Sequence, residues 1–391
     1  MQIIFDDNGL HKALAPFTLT RPVAEIRFGI MTIRESWEHY FDTINEEYET
    51  AYLTEDYLYA KFEKGNPDEE SLIIAGNIKP SPQLFKAVQN LKAGDALYVA
   101  HSNMEEGIKV AQKGMSIENK ISINPERINY IEKPWHIFQR NDKAISLDYS
   151  LLSADKNKKV LSDTNRCVDE ESIFIHKDAK VEHTILNAAT GPIYIGKGAE
   201  VMEGAIIRGP FALCEKAVVK MGAKIYGATT IGPECKVGGE ISNCVFQSYS
   251  NKGHDGFLGN SVVGEWCNFG ADTNSSNLKN NYSNVKVYSY ETNKIELSDV
   301  LFCGVLMGDH SKTGINTMLN TATVVGVSAN IFGGGFPPKH IPSFTWGGVD
   351  KTDRFDKEKA FQVAENMMQR RKKELSDGDK AILTYIFDRL A

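Results

Sequence analysis

At 391 residues the chain exceeds what one ordinary hydrophobic core fills, so two domains are expected. A formal net charge of −7 gives no general attraction to nucleic acid or to an anionic membrane, and a polyanionic ligand would need a local basic pocket. Six scattered cysteines without C-x-x-C pairs read as small buried residues of a reducing cytoplasm, and the chain shows neither a signal-peptide pattern nor an apolar run of membrane-spanning length. A cytoplasmic protein with no membrane and no nucleic-acid partner is therefore expected.

The first 165 residues alternate short apolar runs with helical spacing. "QIIF" opens as a strand, "GIMTIRESWEHYF" has helical periodicity, "SLIIAG" reads as a buried strand, "SPQLFKAVQNL" as a helix and "DALYVA" as a further strand. This alternation predicts an α/β sheet with ligands beyond the carboxyl ends of its strands. A polar stretch, "SADKNKKVLSDTNRC", then separates this domain from a different pattern.

From Ile195 an aliphatic residue recurs at every sixth position: Ile195, Val201, Ile207, Leu213, Val219, Ile225, Ile231 and Val237. Neither a helix nor a simple strand has that period. Four residues after each stands a mostly small side chain, such as Ala199, Ala205, Ala217 and Ala223, and glycine often fills the second place. This is the hexapeptide repeat of a parallel β-helix, in which the aliphatic residue points into a prism and the small one lets the next coil stack. Ile175 and Val181 predict the first coil, and the phase resumes at Val263, Phe269, Leu319, Val325 and Ile331. The predicted solenoid spans 170–345 and ends at "GGGFPPKHIPSFTWGG", where His340 reads as part of a turn. Residues 353–391 predict two amphipathic helices, the second capped by Ser376, packed on a neighbouring coil or subunit. The long insert between Asp272 and Val300 predicts a loop projecting over the site.

The chemistry concentrates in "NKGHDGFLGNSVVGEWCNFGADT" (251–273) and "SNLKN" (276–280). This pairing of an α/β domain with hexapeptide coils resembles the bifunctional N-acetylglucosamine-1-phosphate uridyltransferase and glucosamine-1-phosphate acetyltransferase family (GlmU-like), and more closely its divergent members described as sugar nucleotidyltransferases of Bacteroidetes. The resemblance implies a left-handed β-helix, a homotrimer with active sites between subunits, acetyl-CoA as co-substrate, an amino sugar phosphate as acceptor and a place in cell-envelope biosynthesis. It puts His254 on the catalytic histidine, Asn268 on the motif asparagine, Ala271 near coenzyme A and Asn277 on a substrate contact. Lys224 falls on a phosphate-binding arginine and Glu240 on a glutamate. Phe257, Leu278, Lys279 and Ser242 depart from the pattern. An imidazole titrating near neutrality suits proton removal from an attacking amine, and glycine-rich corners can offer amide donors to the oxyanion. The competing reading of His254 is a solvated turn residue.

In the N-terminal domain, "DDNGLHKALAPFTLTRPVAEIRFG" is similar to a nucleotidyltransferase loop in its Pro16-Phe17-Thr18 and Arg21-Pro22, but Asp6-Asp7 stand where the family has two glycines. Two carboxylates would repel a triphosphate unless a metal intervenes. Asn77 occupies the place of an acidic metal ligand, so no metal ligand is assigned, and Mg2+ enters only if this domain is active. "NYIEKPW" offers Glu132 and Lys133 to a sugar phosphate. Arg21, Arg27 and Arg34 read either as a basic phosphate site or as solvated charges, and the run from Arg370 to Lys373 reads as a solvated face in preference to a contact with the coenzyme A phosphates of a neighbouring subunit. The sequence thus predicts an acyltransferase with a nucleotidyltransferase-like first domain that takes a sugar phosphate and a nucleoside triphosphate. Its rivals are a nucleotidyltransferase whose solenoid only oligomerises and a nucleotide-sugar sensor without turnover.

Overall fold

The structure, a computed structural model, describes residues 1–390 except 102–103, 125–127 and 155. Six strands form the first sheet: β1 (Gln2–Asp6), β2 (Glu49–Leu53), β3 (Leu72–Ala75), β5 (Asp95–His101), β6 (Met104–Lys113) and β7 (Asn119–Ile123), in the order β2-β1-β3-β6-β5-β7. β1 runs parallel to both β2 and β3, whereas β6 is antiparallel to its neighbours. A short ladder of β4 (Ile78–Lys79) with β8 (Asn129–Tyr130) flanks it.

Helix α1 (Ile33–Thr43) begins four residues later than its periodic pattern, because Thr32 and Glu35 close a capping box there. Its buried face inserts Trp37, whose indole donates to the Ile78 carbonyl at 2.8 Å, while α2 (Pro82–Gln89) stacks Phe85 on Tyr40. A short α3 (His136–Gln139) leads into α4 (Asn141–Leu152), which fastens the domain to the solenoid. Asn141 accepts from the Gly29 amide at 2.9 Å and donates to the Ala228 carbonyl at 3.0 Å. Behind it the fully buried Lys79 pairs with Asp148 at 2.9 Å, and Asp148 also accepts from the Ile30 amide.

The expected α/β domain is followed by the expected parallel β-helix. Its strands stack coil upon coil along three faces; the sheet of one face runs through nine strands from Ile173–Ile175 to His340–Ile341. All eight aliphatic residues of the six-residue period are buried. Stacking them sequesters the apolar surface that no single coil could hide. At one corner of each coil the third residue after the inward aliphatic has positive φ, as at Gly198, Lys216, Glu234, Tyr249, Trp266, His310, Ser328 and Phe344. Glycine is thus not obligatory there, and the outward side chains form a column that includes the face-to-face pair Tyr249–Trp266.

The insert differs from expectation, and the C-terminal helices take the first of the two places expected for them, a neighbouring coil. The 272–300 insert folds into a hairpin, Lys286–Ser289 with Lys294–Leu297, and buries Val285, Val287 and Val300 in the N-terminal core; its alternating valines favour that packing over a solvated loop. The C-terminal helices, α5 (Lys357–Gln369) and α6 (Asp377–Leu390), pack on their own chain, joining Trp266 and Phe344 of the corner column and the adjacent Val327 in one apolar cluster. Ser376 accepts from the Asp379 amide at 3.1 Å, as its capping role requires.

Burial pushes three histidines down: His310 to about 3, and His136 and His340 to about 4. Each is neutral in the folded chain below the pH at which it charges in the unfolded one, so the unfolded state binds more protons between about pH 6.5 and the folded values. These groups should therefore lower stability as pH falls below about 6.5. Urea midpoints measured at pH 7.5, 6 and 5 should decline, and replacing His310 by a residue that does not titrate should flatten the decline; an unchanged slope would count against it.

Candidate functional site

Two strands frame His254, Asn251–Lys252 before it and Phe257–Gly259 after it, on adjoining faces of the prism. Lys252 points inward and is fully buried, and its ammonium donates to the carbonyls of His254 and Asp255. Burial pushes this lysine down to about 8. The turn so fastened leaves the His254 side chain exposed, with no hydrogen bond to it among the described residues. Gly256 is required next, because φ is +111° and a Cβ would stand 2.4 Å from the Thr273 carbonyl oxygen.

The next coil repeats the corner, and the Asp272 amide donates to the Asp255 carbonyl at 3.1 Å. Ala271 and His254 therefore occupy the same corner in successive coils. Amides along this edge donate from coil to coil: Gly238 to Lys252, Gly270 to Thr313 and Gly314 to Ile331, at 2.7 to 3.0 Å. Gly253 makes no such bond among the described residues, so its N–H next to His254 is left as a donor.

Lys224, Glu240 and Phe257 are consecutive rungs of the adjoining face. Glu240 accepts from the Tyr226 hydroxyl at 2.6 Å. Asn277 lies beyond the far end of the strand, donating to the Asn260 side chain at 2.8 Å. Asn268 is separated from these residues, since it pairs with Asn251 and Lys312 on the other face, below α5. Thus His254 and Ala271 share a corner and Lys224 and Glu240 a ladder, while Asn268 looks into a different cleft.

The N-terminal candidates do not converge. Arg21 is buried against Asp309 and Glu265 of the solenoid, Arg27 reaches Glu35 and the Gln247 carbonyl, and Arg34 pairs with Glu25 and Glu38. Each of these arginines is thus paired with a carboxylate, while Arg21 and Arg27 also line one cleft in which Arg21 Nη1 has no hydrogen-bond partner among the described residues. Asn77 is buried, with its amide donating to the Ile131 carbonyl at 3.0 Å and its Oδ1 unpartnered. Glu132 donates its backbone N–H to His136, and Lys133 pairs with Glu291 of the hairpin at 2.9 Å.

At the carboxyl ends of β1 and β2 a cleft of about 550 Å³ is lined by Asp6, Asp7, Lys12, Thr54, Glu55 and Glu291 among others. Asp7 cannot serve a ligand freely, because it accepts from the Val23 amide at 2.7 Å, from the Thr54 hydroxyl and from His11. This cross-link replaces the open glycine loop of a phosphate cradle. Among the described residues no three His, Cys, Asp or Glu side chains converge on a metal position. With Asp7 committed and Asn77 uncharged, these residues do not fit Mg2+.

An α/β domain followed by stacked hexapeptide coils with a histidine-bearing corner is the arrangement to set beside known proteins. Residues 2–157 match the family model described as sugar nucleotidyl transferase. Among curated proteins, the bifunctional protein GlmU of Methanocaldococcus jannaschii is 25% identical over 264 residues, covering 68% of this chain and 57% of that protein. The bifunctional sugar-1-phosphate nucleotidylyltransferase/acetyltransferase of Sulfurisphaera tokodaii is 28% identical over 229 residues, covering 54% of this chain and 56% of that one. The chain spans about half the length of the curated relatives it matches. Of the solved structures, the polySia-specific acetyltransferase NeuO aligns over 49% of this chain and 80% of its own at 11% identity, with a TM-score of 0.23. The resemblance read from the motifs thus holds at low identity. No helix among the described residues is long and apolar enough to cross a membrane.

Proposed function

We propose that the chain is a sugar-phosphate transferase that moves an acetyl group from acetyl-CoA to an amino sugar phosphate of the glucosamine-1-phosphate type, with His254 as the base. The carrying observation is the corner itself: an exposed, unpartnered imidazole held by Lys252 beside the free Gly253 amide. In this reading the amine attacks the thioester carbonyl, the His254 imidazole takes the amine proton and the Gly253 N–H donates to the developing oxyanion; collapse of that oxyanion breaks the C–S bond, and the leaving thiolate takes the proton from His254 to depart as free coenzyme A. Lys224 supplies positive charge for the acceptor's phosphate, with Glu240 oriented beside it and Asn277 at the far edge, while Ala271 leaves room for the acyl carrier. Asn268 is the exception, since it faces away from this ladder.

The same face exposes Ile185, Ile206, Tyr226 and Met318, and this apolar surface supports assembly of the proposed cytoplasmic homotrimer. For the N-terminal domain the tied Asp7 favours binding of a sugar phosphate or nucleotide without turnover. Incubation with a nucleoside triphosphate, sugar phosphates and Mg2+ should accordingly release no pyrophosphate. Acetyl-CoA with glucosamine-1-phosphate should release free coenzyme A thiol in proportion to acceptor; no thiol from a panel of amino sugar phosphates would defeat the acyl-transfer reading.

A further inference from the structure

The second face of the solenoid carries a cleft of about 550 Å³ closed on one side by α5. Its lining holds four cations, Lys236, Lys312, Arg370 and Arg371, and no carboxylate. Only Arg371 has an acidic partner among the described residues, Glu234 at 3.6 Å, and its guanidinium also donates to Asn251 at 3.3 Å. Lys312 donates to the His310 carbonyl at 2.8 Å and to nothing charged. Burial pushes Lys312 down to about 8, and burial with Arg371, Lys220 and Arg370 pushes Lys236 down.

The arrangement is costly as it stands. Arginines at the end of a helix are favoured by its dipole, which accounts for Arg370 and Arg371 alone. It does not account for Lys236 and Lys312, which rise from separate coils and face those arginines across the cleft in a chain of net negative charge. Four converging cations repel one another in a partly desolvated space, and a bound anion would offset that repulsion. Asn268 adds an amide with no hydrogen bond among the described residues, and Val363 and Met367 of α5 give one wall an apolar stretch.

We propose that this cleft is a binding site for a phosphate-bearing small molecule with at least two anionic groups, held by Lys236, Lys312, Arg370 and Arg371. A planar guanidinium matches two phosphate oxygens at once, and the two lysines act as point charges from the opposite wall. The site stands apart from the acyl-transfer reading, because it depends on charges that the His254 corner does not use.

Isothermal titration of the full chain with inorganic pyrophosphate tests it. Saturable one-to-one binding is expected, weakened by added salt and reduced about ten-fold by each of Lys312→Met and Arg370→Ala. Arg370→Ala changes an exposed residue at the C-terminal cap of α5, so it keeps the test valid if Lys312→Met fails to fold. Adenosine 3′,5′-bisphosphate binding more tightly than pyrophosphate marks a nucleotide-type ligand using the Val363 and Met367 wall, whereas equal affinity marks a free polyphosphate. No saturable binding, or an affinity that Arg370→Ala leaves unchanged, overturns the proposal. Glucosamine-1-phosphate acetylation measured on the same variants separates failure of this site from failure of the acyl-transfer reading.

Discussion

Replacing His254 by alanine should cut acetyl transfer by about 10²–10⁴-fold, the usual share of a positioned general base, and leave the melting temperature where it was. Both halves follow from the corner's construction. The imidazole is exposed and makes no hydrogen bond among the described residues, so its loss opens no cavity and strands no partner. The turn is held by main-chain groups instead, through Lys252 and the Asp255–Asp272 bond. Proton removal, by contrast, has no substitute at hand, because the nearest lysine spends its donors on carbonyl oxygens inside the prism. Coenzyme A release and thermal melts on the same preparations check the two parts. Full activity in His254→Ala would return this residue to the status of a solvated turn. A large fall in melting temperature would make it structural.

Asp309→Ala should destabilise the chain by about 3–5 kcal/mol, as expected when one partner of a buried ion pair is removed. Asp309 is 3% exposed. It accepts from the Thr20 hydroxyl at 2.7 Å, from Arg21 and from the Glu265 amide at 2.8 Å, so it joins the N-terminal loop to two coils at once. Without it the buried Arg21 cation keeps, among the described residues, one ion pair, to Glu265 at 3.2 Å. The double variant Arg21→Met with Asp309→Leu should recover most of the loss, since apolar replacement removes the stranded charge along with its partner. Urea unfolding followed by both tryptophan fluorescence and circular dichroism provides the measurement. It also reports whether the two domains still unfold together, because loss of this bridge should separate the two signals. A change below about 1 kcal/mol would mean that the interdomain bridge contributes no more than a surface pair.

The solenoid was legible because its signal is local and repeated. Inward aliphatics at period six and small residues four positions later follow from the geometry of one coil, so each stretch of eighteen residues states the rule again. The corner around His254 was legible for a related reason: its glycines answer to the backbone of adjacent coils, as Gly256 does to Thr273. The N-terminal strands and helices were readable from apolar spacing, with α1 displaced to its cap by a side-chain hydrogen bond that periodicity does not register.

The polar partnerships were not legible. Arg21 and Asp309 stand 288 residues apart, and no pattern near either names the other. Asn268 and Asn277 are close in sequence but go to different faces, because a three-sided coil turns a corner between them. Arg370 and Arg371 looked like solvent-facing charges until α5 was laid along the lysines of the second face.

By itself, then, the sequence determined the two-domain plan, the stacked coils and the exposed histidine, since burial of a periodic apolar set is satisfied by neighbours within one or two coils. Only the tertiary structure decided that Arg21 and Arg27 of the first domain reach across to the solenoid, that the insert packs as a hairpin and that four cations share a cleft. Those outcomes depend on electrostatic and hydrogen-bond partners brought together by docking, and a charge carries no mark in the sequence of the distant group that will neutralise it.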